Sequence, residues 1–213
     1  MIENAGKIVW LAGASGRVGG QVLELLLQAP EYARILAVTR RPLGREHPRL
    51  ANRIVPFAQL EAQLRGQACA TALCCLDASA DVLAFARAAK AAGARRFVIV
   101  SCHAADAGAQ QAPARLQGEN LDALPALGFE SLDILLPGPL LGLRRGDGPL
   151  QLLRMLLRLA LRPLQFGARQ NRRAIAASDV AAAVLAAARS SRRGLSRHAC
   201  PDILALSKGR PRT

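Results

Sequence analysis

The sequence has little of several things that mark other classes of protein. Aromatic residues make up 3% of its 213 residues, so its core has to be built from the alanine, leucine and valine of a 51% hydrophobic composition. No uncharged apolar run reaches the roughly 18 residues that a transmembrane helix requires. The N-terminus also lacks the basic stretch, apolar run and small-residue cleavage site of a secretory signal. We therefore predict a cytoplasmic protein that does not insert into a membrane.

Cysteine pairs and metal-ligand patterns are absent as well. The five cysteines are odd in number and form no C-x-x-C pair, which favours reduced thiols over a disulfide framework or a zinc site. Neither His47 nor His198 has a metal-ligand spacing to another histidine or to a cysteine. Cys74 and Cys75 are neighbours in an apparent strand, so they point to opposite faces and are interpreted as core residues. We predict no metal site.

Negative charge is scarce, and so is lysine. The chain has 15 acidic and 29 basic residues, a formal net charge of +14, and only three of the basic residues are lysines: Lys7, Lys90 and Lys208. Such a surface attracts polyanions and phosphorylated ligands, but the charge alone identifies no partner. An excess of arginine together with alanine is also typical of a GC-rich coding sequence.

A glycine-rich turn near the N-terminus is the most informative motif that is present. Gly13, Gly16 and Gly19 follow the apolar run 8–12 and overlap the start of a helix-period stretch at 18–27. A buried strand, a glycine turn and a helix place a phosphate against backbone N–H groups at a helix N-terminus. We expect Gly13 to make the tight turn, Gly16 to let the backbone approach a pyrophosphate, and Gly19 to allow close packing of helix on strand. The motif predicts a dinucleotide site, with a purely structural turn as the alternative.

Apolar strands alternate with helical segments along most of the chain. The predicted strands are 7–12, 34–39, 53–56, 71–76, 95–101 and 131–137, and the predicted helices are 17–29, 58–66, 79–92 and 113–127. This alternation predicts an α/β fold that is doubly wound, with a mostly parallel sheet and helices on both faces. Because there is no internal repeat or low-complexity linker, we expect one domain over 1–213, in which about 138–170 and 197–213 form a small substrate-side region.

The alternation breaks in the C-terminal third. Residues 149–161 have the pattern of an amphipathic helix with leucines on one side, and Arg154, Arg158 and Arg162 recur at four-residue spacing. We interpret it as a helix packed through its leucines with solvated arginines, and a helix lying on an anionic membrane is the alternative. A last helix is predicted to begin near Ser178 and Asp179, either of which can cap it.

Four stretches together resemble the short-chain dehydrogenase/reductase superfamily in its atypical, extended-like form. They are the glycine turn at 13–19, G-A-R-R-F-V-I-V-S at 93–101, L-L-P-G-P-L-L-G at 135–142 and I-A-A-S-D-V-A at 175–181. Within the superfamily, H-P-R-L at 47–50 and C-C-L at 74–76 are similar to small bacterial relatives of the Tat-interacting oxidoreductase branch.

This resemblance implies a Rossmann sheet with a nicotinamide dinucleotide across the carboxyl ends of its strands. The residues expected to bind the cofactor are Gly13, Ser15, Gly16, Arg17, Val18, Gly19, Arg40, Arg41, Leu76 and Ser101.

The residues after the second predicted strand indicate which dinucleotide binds. An NAD site usually has an Asp or Glu there, which accepts hydrogen bonds from the adenosine ribose hydroxyls. This chain has Arg40 and Arg41 instead, and a planar guanidinium is suited to a 2′-phosphate. Arg17, inside the glycine turn, adds a third cation. We predict NADP(H) as the cofactor in preference to NAD(H), although arginine is abundant throughout this sequence.

The catalytic pair of the family is missing from its expected positions. The family uses a Tyr and a Lys four residues later on the helix after strand five, with a Ser at the strand end that orients the substrate. Ser101 keeps the strand-end position, but Pro113 and Gln117 stand where the Tyr and the Lys are expected. Neither has a proton that titrates in the useful range. His103 is a candidate replacement acid, although it is more readily interpreted as a solvated loop residue. We therefore assign no catalytic residue.

A second departure agrees with the first. The branch usually carries a long substrate loop after the position of Leu76, whereas here residues 77–79 lead almost at once into the next helix. Both departures favour an NADP(H)-binding oxidoreductase or nucleotide-sugar-epimerase relative whose usual catalysis has been lost. Such a protein serves either as a cofactor-sensing regulator or as a reductase of a substrate that needs no tyrosine acid. Whether the chain is an enzyme is left open.

The alternative from a different class is a basic interaction or nucleic-acid-binding protein that uses the fold as a platform. Arginines such as Arg154, Arg172 and Arg192 would then contact phosphates. The chain has no recognised nucleic-acid motif, however, and few aromatic residues for base stacking. The sequence leaves the small-molecule substrate and the oligomeric state open.

Overall fold

A parallel sheet organises the residues that the computed structural model describes, which are 6–76, 81–101, 112–141 and 174–209. Its strands are β1 (Lys7–Ala12), β2 (Tyr32–Thr39), β3 (Leu50–Ile54), β4 (Thr71–Cys74), β5 (Arg96–Val100), β6 (Ser131–Leu136) and, after the short strands β7 (Leu140–Leu141) and β8 (Ile175–Ala176), β9 (Gly194–Ala199). Seven of these form one sheet in the order β3-β2-β1-β4-β5-β6-β9, and every neighbouring pair is parallel. Strands β7 and β8 pair with each other.

Helices cover both faces of this sheet. They are α1 (Arg17–Gln28), α2 (Leu60–Gln63), α3 (Asp81–Ala91), α4 (Ala112–Ala123), α5 (Ala177–Arg189) and α6 (Cys200–Ser207). The apolar cluster on one face combines side chains of α1, α5 and α6, and that on the other combines side chains of α2, α3 and α4. The predicted α/β fold with a doubly wound parallel sheet is therefore confirmed.

The two clusters follow from the alternation of side chains along strands that are buried on both faces. In β1, Val9 and Leu11 belong to the cluster under α1, whereas Trp10 and Ala12 belong to the opposite one. Trp10 is fully buried, and its indole N–H donates a 3.0 Å hydrogen bond to the carbonyl of Ala68. A strand of this kind has an almost continuous apolar sequence, which is why the sequence pattern predicts β1 well.

Cys74 and Cys75 lie on opposite faces, as predicted. Cys74 belongs to the cluster under α3, and Cys75 packs against the cluster under α1. Gly93 ends the α3 segment with a φ of 90°, and its N–H donates to the carbonyl of Lys90. The left-handed conformation favours glycine at this position.

Helix α5 begins earlier than predicted and without the predicted cap. Its N-cap is Ala176, no side chain caps it, and Asp179 lies within its first turn. The prediction of Ser178 or Asp179 as the cap was therefore wrong. Because Ile175 and Ala176 pair with β7, the strand leads directly into the helix.

Residues 194–207 add a strand and a helix that the sequence analysis did not include. β9 pairs with β6, and α6 packs against α5. The arginine-bearing segment 149–161 and most of the predicted substrate-side region 138–170 lie outside the described residues. Among the described residues, no helix combines the length and the apolarity that are needed to cross a membrane.

Candidate functional site

The candidate site lies at the carboxyl end of β1, where the strand order reverses: strands that follow β1 in the chain are added first on one side of it and then on the other. Strands β2 and β3 lie on one side of β1, and β4 lies on the other. Ala12 at the end of β1 is paired with Val38 of β2 and with Cys74 of β4. The loops that follow these three strands therefore leave the sheet side by side. In open parallel sheets, ligands bind in the crevice at such a switch point.

The glycine turn lies in this crevice. Gly13 has a φ of 84°, which strains any other residue, and a Cβ placed there would lie 2.6 Å from the carbonyl carbon of Cys75. The turn closes with a 2.9 Å hydrogen bond from the Gly16 N–H to the Gly13 carbonyl. Gly13 thus lets the turn lie directly against the end of β4.

Gly19 and Gly16 have different surroundings. A Cβ on Gly19 would lie 2.6 Å from the carbonyl carbon of Gly13, so α1 approaches the turn closely at this position. We expected Gly19 to allow close packing of the helix on the strand, and the neighbour that it approaches is instead the turn. At Gly16 the nearest atom to a Cβ is the Gly13 oxygen, at 3.2 Å, and Gly16 has an ordinary extended conformation. A small residue at Gly16 is therefore required less by the fold than at the other two positions.

The N-terminus of α1 opens onto the same crevice. Its N-cap is Gly16, no side chain caps it, and no acidic residue lies in its first turn. The N–H groups of the first turn of a helix have no acceptor within the helix, and the helix dipole favours a negative charge beside them. Ser15 is exposed, Arg17 is half-buried, and Val18 is buried beneath the turn. These features suit an anionic group such as a pyrophosphate.

The end of β2 presents two arginines beside the glycine turn. Thr39, the last residue of β2, is buried, and Arg40 and Arg41 after it are both exposed. Since Ala12 and Val38 are paired, Arg40 lies on the same edge of the sheet as the turn.

The ends of β4 and β5 complete the edge. Leu76 is half-buried two residues after β4, and Ser101 directly follows β5. The Ser101 N–H donates to the carbonyl of Leu135 at 2.9 Å, which fixes the backbone. Its side chain is only 5% exposed, and its hydroxyl has no hydrogen-bond partner among the described residues. An orphaned buried hydroxyl costs free energy, so this atom is a candidate contact for a bound molecule.

The residues expected to bind a cofactor thus share one edge of the sheet, although they come from four different loops. The neighbouring Cys102 and His103 lie outside the described residues. The crevice offers glycine backbone that a Cβ would obstruct, a helix N-terminus with no acidic residue in its first turn, and a hydroxyl that has no partner among the described residues. This set fits a dinucleotide phosphate and its attached groups.

The tyrosine and the lysines lie far from this edge. Tyr32, the single tyrosine of the chain, opens β2 at the opposite edge, where burial raises the pKa of its hydroxyl. Lys7 is the first residue of β1, and Lys208 follows α6. Lys90 lies in the last turn of α3 and donates to the carbonyl of Gly128. None of these side chains is placed to act at the carboxyl ends of the strands.

Helix α4 carries the two positions at which the family resemblance expects a catalytic pair. Pro113 is the second residue of α4, where the missing N–H of proline does not interrupt the helix. Gln117 lies one turn later and is half-buried. The helix therefore forms as predicted with neither a tyrosine nor a lysine at these positions.

Three cysteine thiols in the described part of the chain, two of them at the end of β4 beside the glycine turn, are kept in the protonated form. Burial raises the pKa of the Cys69 and Cys74 thiols to about 12 and also raises that of Cys75, so they are protonated near neutral pH. No cluster of three potential metal ligands occurs among the described residues.

The structure also contains a polar cluster that the sequence analysis missed. Asp133 of β6 accepts hydrogen bonds from Ser131 at 3.0 Å and pairs with His198 of β9 at 2.9 Å, and all three side chains are buried. Because the two strands are paired in register, the cluster joins the last strand to the sheet. An aspartate in an otherwise apolar strand is the sequence signal that points to it.

No family model matches the sequence. A stretch of 163 residues is 29% identical to Protein fmp52, mitochondrial, of Aspergillus clavatus, and it covers 66% of this chain and 70% of that protein. The protein of the same name from Aspergillus fumigatus is 29% identical over 164 residues.

Solved structures resemble the whole architecture. The enzyme WbmH of Bordetella bronchiseptica in complex with NAD+ superposes with a TM-score of 0.66 at 17% identity, over 91% of this chain and 76% of that one. A wide-type short-chain dehydrogenase/reductase from Veillonella parvula in complex with NADP gives a TM-score of 0.61 at 14% identity, over 87% and 88% of the two chains. At these identities the likeness shows that the fold is the Rossmann fold of such proteins.

Proposed function

We propose that this protein binds a nicotinamide dinucleotide at the carboxyl edge of its sheet. The observation that carries the proposal is the glycine turn at the switch point, which is packed against the end of β4 with the N-terminus of α1 open beside it. The pyrophosphate would be held by the backbone of the turn, from Gly13 to Gly19, with Ser15 and Val18 beside it. Leu76 and Ser101 would contact the nicotinamide half. The NAD+ and NADP bound in the WbmH and Veillonella structures support the binding of a nicotinamide dinucleotide.

We further propose that the preferred cofactor is NADP(H). Arg40 and Arg41 follow β2 directly, both are exposed, and Arg17 opens α1 beside them. No carboxylate stands directly after β2 to accept hydrogen bonds from an unphosphorylated ribose. Guanidinium groups bind a 2′-phosphate through charge-assisted hydrogen bonds.

Calorimetric titration with NADPH and NADH tests both proposals. Wild type is expected to bind NADPH more tightly, and the Arg40→Ala/Arg41→Ala variant to lose about ten- to hundred-fold in NADPH affinity, because a charged hydrogen bond contributes roughly 1.5–3 kcal/mol. Its NADH affinity is expected to change little.

The matched control for this titration is Arg34→Ala/Arg87→Ala. It removes the same charge from exposed positions near the opposite edge of β2 and on α3. If both double variants weaken NADPH binding equally, the effect is one of net charge and the assignment of Arg40 and Arg41 is wrong. If wild type binds neither dinucleotide, the proposed function itself fails.

We also propose that hydride transfer by the usual acid–base pair has lapsed. A bound NADPH supplies a hydride, and the alkoxide left on a reduced carbonyl has to be protonated as it forms. A positioned acid contributes about 10²–10⁴-fold to such a step. Pro113 and Gln117 occupy the expected positions of the pair, and Tyr32 lies at the opposite edge. The chain then acts as a cofactor-sensing protein, or on a substrate that needs no such acid.

Oxidation of NADPH against a panel of aldehydes, ketones and quinones tests this second proposal. Wild type is expected to turn over slowly or not at all, and Pro113→Tyr with Gln117→Lys to gain some turnover. Robust wild-type activity that disappears in Ser101→Ala or His103→Ala would contradict the proposal, because it would show that another acid has been recruited at the end of β5.

Three narrower assignments stay predictions. They are a relationship to the Tat-interacting branch, a single domain with a substrate-side region at 138–170 and 197–213, and a cytoplasmic location. The Aspergillus relatives carry the word mitochondrial in their names. In the H-P-R-L stretch at 47–50, Arg49 donates to the carbonyls of Leu27 and Ala29 at the end of α1, which is a structural role.

A further inference from the structure

One side chain holds both ends of the segment that carries Arg40 and Arg41. Asn52 is the third residue of β3 and is paired with Ala37 of β2. Its amide nitrogen donates to the Thr39 hydroxyl at 2.7 Å and to the Ala37 carbonyl at 3.2 Å. Its amide oxygen accepts a 3.0 Å hydrogen bond from the Leu43 N–H. Both donors and the acceptor of the amide are thereby used within the protein.

These contacts fix the backbone on either side of the two arginines. Thr39 is the residue before Arg40, and Leu43 is two residues after Arg41. Leu43 also packs against the apolar cluster under α1. Pro42, which lies between Arg41 and Leu43, has a fixed φ and restricts the backbone conformation of Arg41. The segment is therefore anchored at both ends while its two guanidinium groups project from exposed residues.

We propose that Asn52 is a positioning residue that sets the preference for a 2′-phosphorylated dinucleotide. This inference rests on the proposed function, and it concerns how strongly Arg40 and Arg41 discriminate. A segment that is already ordered loses little conformational entropy when its side chains bind a phosphate. Asn52 has no remaining donor for a ligand, so it acts only through the arginines. An unphosphorylated ribose does not use the arginines, and NADH binding is therefore independent of Asn52.

The test is titration of the full-length protein with NADPH and with NADH. Asn52→Leu has a similar volume and removes all three hydrogen bonds, and Thr39→Val removes one of them. We expect Asn52→Leu to weaken NADPH binding roughly tenfold and NADH binding less than about twofold, with a smaller change of the same kind for Thr39→Val. Gln63→Leu is the control, because it removes an exposed amide that bonds to Gln59 on the opposite face.

Trypsin digestion gives a readout that does not depend on affinity. In wild type the Arg40–Arg41 bond is expected to be cleaved slowly, and more slowly still with NADPH, whereas Asn52→Leu exposes it to rapid cleavage. The next bond, Arg41–Pro42, resists trypsin, so the cleavage site is unambiguous by mass spectrometry. Unchanged cleavage at Arg40 in Asn52→Leu would overturn the inference.

The possible outcomes separate this inference from the proposed function. If wild type binds neither dinucleotide, both fail. If wild type prefers NADPH and Asn52→Leu keeps the same ratio of affinities, or weakens both dinucleotides equally, only the inference fails, because Asn52 then stabilises the edge strand and nothing more. If Asn52→Leu does not fold, Thr39→Val decides: a reduced preference for NADPH supports the inference, and an unchanged preference overturns it.

Discussion

The three glycines of the turn show how far single residues can be assigned from sequence. Their spacing after an apolar strand predicts a turn at which backbone approaches a phosphate. The sequence does not show which neighbour each glycine approaches, because that depends on how the turn folds back. The bond from Gly16 to the Gly13 carbonyl brings that carbonyl under Gly19, so the turn and not the strand excludes a side chain there.

Asn52 and Asp133 were missed for a common reason. Each hydrogen-bonds to at least one residue of another strand or loop, and His198 is 65 residues from Asp133. A polar residue within a strand signals that such partners exist without identifying them. Arg40 and Arg41 could be assigned because their position relative to the end of β2 is local.

At the scale of elements, buried strands were predicted better than edge strands. β1 was predicted with its observed bounds, whereas β3 spans Leu50–Ile54 in place of the predicted 53–56. Residues of β3 are half-buried or exposed, and Ile54 is 52% exposed, so the strand lacks an apolar signature. β9 is the other edge, with Leu195 49% exposed, and was not predicted for the same reason.

The C-terminal end of helix α1 is hydrogen-bonded by Arg49, the residue that precedes β3. Arg49 donates to the carbonyls of Ala29 and Tyr32 at 2.7 and 3.0 Å, and also to that of Leu27. No basic residue lies in the last turn of α1 itself. A guanidinium is suited to several acceptors at once, which a lysine does not match.

Arg49→Ala is accordingly expected to lower the free energy of unfolding by about 1–3 kcal/mol, because it removes the hydrogen bonds that a guanidinium donates to three carbonyls. Urea denaturation measures the change, and Arg49→Lys should restore only part of it. Arg53→Ala, which removes the same charge from an exposed position on β3, is the control and should have little effect. Equal stability of Arg49→Ala and Arg53→Ala would show that Arg49 does not support α1.

At the scale of the whole molecule, several arginine side chains of the described residues stabilise the fold through hydrogen bonds and ion pairs. Helix C-termini and strand N-termini meet at one edge, where negative helix ends favour basic side chains. Arg96 donates to the Ala187 carbonyl at the end of α5, and Arg189 pairs with Glu31 at 2.6 Å. The pair lowers the pKa of Glu31 although burial opposes the shift. Structural arginines of this kind weaken the alternative of a nucleic-acid platform.

The fold class and the site edge were predictable because strand order in a doubly wound sheet follows from chain order and handedness. Once β1 is central, the loops after β1, β2 and β4 have to meet. The contacts that hold those loops were not predictable, since they join residues such as Asn52 and Leu43 across elements. The segments 102–111 and 142–173, which include His103 and the arginines Arg154, Arg158 and Arg162, lie outside the described residues, and their assignments stay predictions.

The most direct test of the account is the affinity of Gly16→Val for NADPH, measured by calorimetry beside its unfolding in urea. Gly16 has an extended conformation that valine adopts, and only the Gly13 oxygen approaches a Cβ there closely. We therefore expect the variant to fold, with no more than about 2 kcal/mol lost at the N-cap. NADPH binding should nevertheless be abolished, because the branched side chain fills the space of the pyrophosphate. Gly20→Ala, one turn into α1, should bind as wild type does, and normal NADPH binding by Gly16→Val would contradict a dinucleotide site at this turn.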